Sequence, residues 1–136
     1  MEIIGVGLDA TEIDRIAATI ARYGDRFLTR IFTEGEVAYC RRKRDAASSF
    51  AARFAAKEAA MKALGTGHSR GVLWRDIEVV RRHGPPHLRL HGGAAARAQA
   101  MGATASLMSI THSKALAIVQ VLLVRDETGN TGYRLL

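Results

Sequence analysis

In the stretch FAAKEAAMKALGTG, residues 54–67, Glu58 and Lys62 stand one helical turn apart. Phe54 precedes them on the same row and Gly65 continues it. A carboxylate takes a hard divalent cation. An ammonium takes phosphate oxygens as a point charge. A glycine corner, here Gly65-Thr66-Gly67, lets free backbone N–H groups approach a ligand closely. Read this way, the row suits a metal bound to a diphosphate. The same spacing suits a solvated ion pair worth about 0.3–0.5 kcal/mol, and spacing alone leaves both readings open. Asp9 is a second carboxylate, either a helix N-cap or a cation ligand. His112 lies in a Thr-His-Ser-Lys turn, either as a structural hydrogen-bonding residue or as a ligand contact. Cys40 has no base or metal partner beside it and reads as buried packing. Trp74 and Tyr39 read as anchors in the core or at its edge. No paired Cys/His spacing suggests zinc. There is no GxxxxGK[ST] loop, and Gly5-Val6-Gly7 lacks the third glycine of a dinucleotide fingerprint.

These residues need elements to hold them. Residues 2–8 are short and β-branched, a strand with Asp9 at its C-terminal end. Thr11 or Asp9 caps a helix reaching about residue 22, on the spacing of Ile13, Ile16, Ala17 and Ile20. A short helix follows over 26–31. Thr33-x-x-Glu36 has the form of a capping box and opens another helix. The longest helix spans 47–64, with Gly65 as its C-terminal cap. Residues 76–81 and 87–91 alternate as a hairpin, 92–101 form a helix, and 105–111 and 115–124 are strands. The order reads β-α-α-α-β-β-α-β-β. Hairpin pairing predicts an α+β fold, a mostly antiparallel sheet packed with helices. We expect one domain over residues 1–124 and a poorly ordered tail over 125–136.

The chain has 136 residues, enough for a real core without staples. It carries 20 Lys plus Arg against 13 Asp plus Glu, a net charge of +7. That excess predicts an anionic partner: nucleic acid, a phosphorylated small molecule or an acidic protein. One cysteine excludes an internal disulfide and fits a reducing compartment. No leader pattern opens the chain, and no apolar run reaches the ~18 residues of a membrane span. We expect a cytoplasmic protein bound to neither membrane nor nucleic acid. A nucleic-acid-binding sheet would interleave aromatics with its basic residues, and aromatics are only 6% of this chain.

Taken together, Gly5-Val6-Gly7-Leu8-Asp9 with Ile13-x-Arg15, the Phe54–Gly67 block, Trp74-x-Asp76-Ile77-Glu78-Val79 and Ser109-Ile110-Thr111-His112-Ser113 resemble one family. It is the holo-acyl-carrier-protein synthases, the small bacterial-type 4'-phosphopantetheinyl transferases. Phe32-Thr33-x-x-Glu36 and Tyr39-Cys40 match its third helix. The likeness runs from residue 3 to about residue 124, and the tail extends past the family's usual end.

The resemblance implies that fold and a reaction, transfer of the phosphopantetheine arm of coenzyme A to a serine of an acidic apo acyl carrier protein in fatty acid biosynthesis. It implies magnesium held by Asp9, Glu58 and diphosphate oxygens, with coenzyme A as co-substrate. We expect Glu58 also to accept the serine proton, directly or through a metal-bound water, and Lys62 to stabilise or protonate the leaving phosphate. Arg53, Lys62, Gly65, Thr66 and His112 contact coenzyme A, and Arg15, Arg22 and Arg26 dock the carrier. The three arginines share one side only if their helix continues past Gly24. The family forms a ring of three subunits, so His112 and hairpin residues 84–91 would serve a neighbour's coenzyme A. The rival is a metal-dependent phosphohydrolase using the same carboxylates, which leaves the arginine series unexplained.

Overall fold

In a computed structural model, residues 1–136 are all described. They form β1 (Glu2–Glu12), α1 (Ile13–Tyr23), α2 (Asp25–Ile31), α3 (Glu34–Arg41), α4 (Ala46–Leu64), β2 (Ile77–Val80), β3 (His87–Leu90), α5 (Gly92–Met101), β4 (Ala105–His112), β5 (Leu116–Arg125) and β6 (Tyr133–Arg134). The expected α+β architecture holds. The four helical segments read before the hairpin are all present, one more than the order β-α-α-α counts, and a sixth strand follows β5.

The large sheet is antiparallel in the order β1-β5-β4-β6, and β2 and β3 pair as a separate sheet. α4 packs across the large sheet, where Ala59, Ala63, Val119, Val121 and Leu123 share one core. A second cluster joins Ile13, Ile16, Phe32, Cys40 and Phe50 beneath the short helices. Cys40 is fully buried there, and burial pushes its thiol up to about 11.

Alanine makes α4 thin, and glycine on β1 lets it come close. A Cβ on Gly7 would stand 1.7 Å from the Ala59 carbonyl oxygen, and one on Gly5 2.2 Å from that of Ala63. Gly5, Gly7 and Asp9 alternate onto the same face of β1. The missing side chains therefore bring Asp9 against the helix that carries Glu58.

β1 is longer than its composition suggests, so Asp9 lies inside the strand and not at its end. Neither Asp9 nor Thr11 caps α1. The N-cap is Glu12, without a side-chain bond, and the Thr11 hydroxyl donates to Asp9 Oδ2 at 2.9 Å. The Thr33 capping box is present, with Glu36 N–H donating to Thr33 Oγ1 and Thr33 N–H to Glu36 Oε1. Asp45 caps α4, and Gly65 ends it at φ 74°. Gly24, at φ 55° and ψ −131°, separates α1 from α2. Arg26 therefore stands on a different helix from Arg15 and Arg22, and the three do not share one helical side.

The tail is built into the fold. Tyr133 and Arg134 pair with β4, and Leu135 is buried in the main core. Our expectation of a poorly ordered tail missed this because its polar turn, residues 126–131, hides one apolar anchor far along the sequence.

Candidate active site

Between Phe50 and Leu64 every residue of α4 is buried except Phe54, Glu58 and Lys62. The charged row is thus no solvated face of an amphipathic helix. It is a slit in an otherwise enclosed helix, and it opens on a cavity of about 420 Å³. Asp9, Arg15, Thr19, Phe27, Glu58 and Lys62 line that cavity. Asp9 arrives from β1, Arg15 from α1, and the other two charges from α4.

Lys62 does not pair with Glu58. Its ammonium donates to the Leu8 carbonyl at 2.8 Å and to Asp9 Oδ1 at 3.2 Å. The Glu58 carboxylate is left without a bonded cation. Burial pushes its carboxyl above the ordinary value, and the neighbouring Asp9 charge adds to this against Lys62 and His68. Two carboxylates crowded at one cavity, one of them held toward its neutral form, make a donor set that a divalent cation relieves. Two protein carboxylates, with room for phosphate oxygens, fit magnesium's habit of few protein ligands.

Other expected residues fall elsewhere. Arg53 and His112 line a second cavity of about 530 Å³, with Tyr39, Lys43 and Arg81. Arg53 is 5% exposed. Its one hydrogen bond runs to the Ser49 carbonyl at 3.4 Å, and its Nε has no partner. A buried guanidinium without a carboxylate is costly unless an anion joins it. Its charge lies 4.1 Å from the centre of the Tyr39 ring, and Lys43 lies 4.6 Å from the same centre. Burial raises the Tyr39 hydroxyl, but Lys43 and Arg53 outweigh it and hold the group below its ordinary value. Tyr39 and Lys43 come from the end of α3 and the turn after it, and Arg81 from the end of β2, so their convergence on Arg53 of α4 was not visible in the sequence.

The Gly-Thr-Gly corner is less open than its composition suggests. Gly65 N–H donates to the Lys62 carbonyl and Thr66 N–H to that of Met61, both as helix caps. Thr66 is buried, and its hydroxyl donates to the Gly67 carbonyl. Two of the N–H groups expected to be free are therefore spent. Arg22 is exposed and stacks over Tyr23. Arg26 borders a groove with Tyr23, Phe27, Arg30, Phe54 and Trp74, next to the Glu58 cavity.

Lys57 was not foreseen. It is fully buried, and its ammonium donates to Glu36 Oε1 at 2.8 Å and to the carbonyls of Trp74 and Ile77. Glu36 Oε2 in turn accepts the Val79 N–H at 2.9 Å. Desolvation lowers the lysine's pKa, opposed by Glu36. This pair ties α3, α4 and β2 together. Glu36 and Lys57 lie 21 residues apart, so no local spacing announces them.

The sequence pattern of the 4'-phosphopantetheinyl transferase superfamily matches residues 5–119. The chain belongs to that family, and it is an enzyme of the transferase class. Its relatives are holo-[acyl-carrier-protein] synthases. That of Solibacter usitatus is 52% identical over 89% of this chain and 98% of its own length. That of Koribacter versatilis is 50% identical over the same shares. Among solved structures, the Neisseria meningitidis synthase matches with TM-score 0.81 at 28% identity, covering 90% of this chain and 99% of that one. The Bacillus anthracis synthase, solved in complex with CoA (3',5'-ADP), matches with TM-score 0.76 at 34% identity, covering 93% and 100%.

Proposed function

We propose that this chain transfers the 4'-phosphopantetheine group of coenzyme A to a serine of an apo acyl carrier protein, with magnesium, in fatty acid biosynthesis. The observation that carries the reading is the meeting of Asp9, Glu58 and Lys62 on one cavity. Asp9 and Glu58 would hold the metal, which when bound neutralises diphosphate charge and orients the transferred group. The serine oxygen bonds to the phosphorus nearest the pantetheine. The bridging P–O bond breaks, and adenosine 3',5'-bisphosphate leaves. Glu58, with its raised carboxyl pKa, takes the serine proton, as a basicity closer to neutral favours proton transfer. Lys62 stabilises the charge that builds on the leaving phosphate. The unpaired Arg53, with His112, takes a phosphate of coenzyme A. Gly65, exposed at the corner, would let the ligand approach, whereas Thr66, buried with its N–H and hydroxyl spent, would only hold the corner's shape.

Arg15 on the cavity wall, with Arg22 and Arg26 beside it, would steer and hold an acidic carrier. The geometry supports a two-helix docking surface bent at Gly24, in place of one straight arginine row. We further propose a homotrimer. Ile3, Val6 and Leu8 leave an apolar stripe on the outer side of β1, 56, 52 and 56% exposed. The split of candidate residues between two cavities also suits active sites shared by neighbours. The lone buried cysteine suits the cytoplasm.

The test is the intact mass of an apo acyl carrier protein after incubation with this enzyme and coenzyme A. We expect a gain equal to phosphopantetheine, abolished by EDTA and by Glu58→Ala. Release of free phosphopantetheine with no mass gain would establish the phosphohydrolase instead.

A further inference from the structure

The Arg53 cavity has two walls from two sheets. Arg81, Pro85 and Pro86 at the end of the β2–β3 hairpin form one wall, and Met108, Ser109, Ile110 and His112 of β4 the other. No backbone hydrogen bond joins the hairpin directly to the large sheet. β2 is fastened to the helices, because Lys57 bonds the Ile77 carbonyl and Glu36 accepts from Val79.

β3 is fastened by the tail. Tyr133 pairs with Ser106 of β4 while its ring stacks on His87 of β3, centroids 4.6 Å apart and planes 11° apart. Leu90 N–H donates to the Leu135 carbonyl at 2.7 Å, and Leu135 N–H donates to the Thr104 carbonyl at 3.3 Å. Asp126 builds the turn that brings this segment back. Its carboxylate accepts from the Thr128 N–H and hydroxyl and from the Thr131 N–H. All of these tail residues lie beyond the family match, which ends at residue 119.

We infer that residues 126–136 are a strap that sets the hairpin wall against the His112 wall, which makes Tyr133 and Leu135 positioning residues for the anion bound at Arg53. The inference rests on the reading of that cavity as a coenzyme A phosphate site. Neither residue lines the cavity, and neither touches Asp9, Glu58 or Lys62. Loosening the strap widens the anion site and leaves the reacting centre in place. Donor affinity then falls while the rate from the bound complex holds.

The experiment compares kcat and KM for coenzyme A in the full chain and in Tyr133→Ala, Tyr133→Phe, Asp126→Asn, Arg53→Ala and Arg81→Ala. Tyr133→Ala is expected to raise the KM for coenzyme A about five- to tenfold, with kcat and the KM for carrier unchanged. Tyr133→Phe keeps the stack and restores the KM. Asp126→Asn, which loosens only the turn, shifts the KM the same way. Unchanged KM in both Tyr133→Ala and Asp126→Asn, with a rise in Arg53→Ala and Arg81→Ala, overturns the strap and leaves the cavity reading standing. Unchanged KM in the two arginine variants overturns the cavity reading and the strap with it. A fall in kcat as large as the rise in KM also overturns it, as the mark of a general loss of structure.

Discussion

Lys62 bonds Asp9 across the gap between helix and strand, Nζ to Oδ1 at 3.2 Å, and makes no ion pair with Glu58 one turn away on its own helix. The contact fixes the ammonium at the cavity mouth and leaves the Glu58 carboxylate open. Lys62→Ala is expected to lower kcat about 10²–10³-fold, the loss typical of one preorganised charge donor. Its cost to stability is about 0–1 kcal/mol, because the lysine end is exposed to water. Transfer rates read by intact mass, beside urea unfolding, check both halves.

Glu58 carries a pH signature. Its folded-state pKa is raised, by burial first and Asp9 second. The neutral carboxyl is the form the fold favours. Its contribution to stability is full below the unfolded pKa and is lost as pH rises through the folded value. Without metal, Glu58→Gln should therefore match or exceed the wild type in Tm at neutral pH. Magnesium with coenzyme A should raise the wild-type Tm and leave the Gln variant's nearly unmoved. Activity should begin to fall, on acidification, at a pH above the ordinary glutamate range. Thermal melts and rate profiles from about pH 4, near the unperturbed glutamate value, to about pH 8 read these out.

Gly7→Ala tests the close approach of α4. The added methyl would stand 1.7 Å from the Ala59 carbonyl oxygen, so strand or helix must move. We expect a loss of at least about 1–3 kcal/mol in urea unfolding. Activity should fall further than stability alone predicts, because Asp9 shifts with the strand. Restored activity at saturating magnesium would mark the shift as one of ligand geometry.

Lys57→Met probes the buried pair. The methionine fills most of the space but leaves Glu36 charged, buried and short of a partner. A loss of about 3–5 kcal/mol is expected. In folded fractions measured at low temperature the KM for coenzyme A is expected to rise as well, since Lys57 holds β2 and with it the hairpin wall that carries Arg81.

Much of this molecule was legible in the order of residues. Helix α4, its glycine cap, the Thr33 capping box and the hairpin all follow from local patterns of apolar spacing and turn chemistry. So does the grouping of Glu58 and Lys62 on one row. What local pattern could not show is partner choice. The helical spacing offers Glu58 to Lys62, and only the fold reveals Asp9 as the nearer claim. Gly5 and Gly7 looked like an incomplete nucleotide motif, and their use is steric, against a helix more than fifty residues away. The Glu36–Lys57 pair, the Arg53 cavity and the docking of Leu135 depend on long-range contacts of the same kind.

The sealed Cys40 has a consequence for redox chemistry. The proposed donor substrate carries a free thiol, and its oxidised form is a disulfide open to attack by thiolates. The chain's one thiol is fully buried and pushed up to about 11, so almost none is thiolate near neutral pH. The folded enzyme therefore has no group with which to form a mixed disulfide with its own substrate. Oxidation of the coenzyme A pool therefore leaves the enzyme uncapped, and a reductant has no bond on the folded protein to reverse.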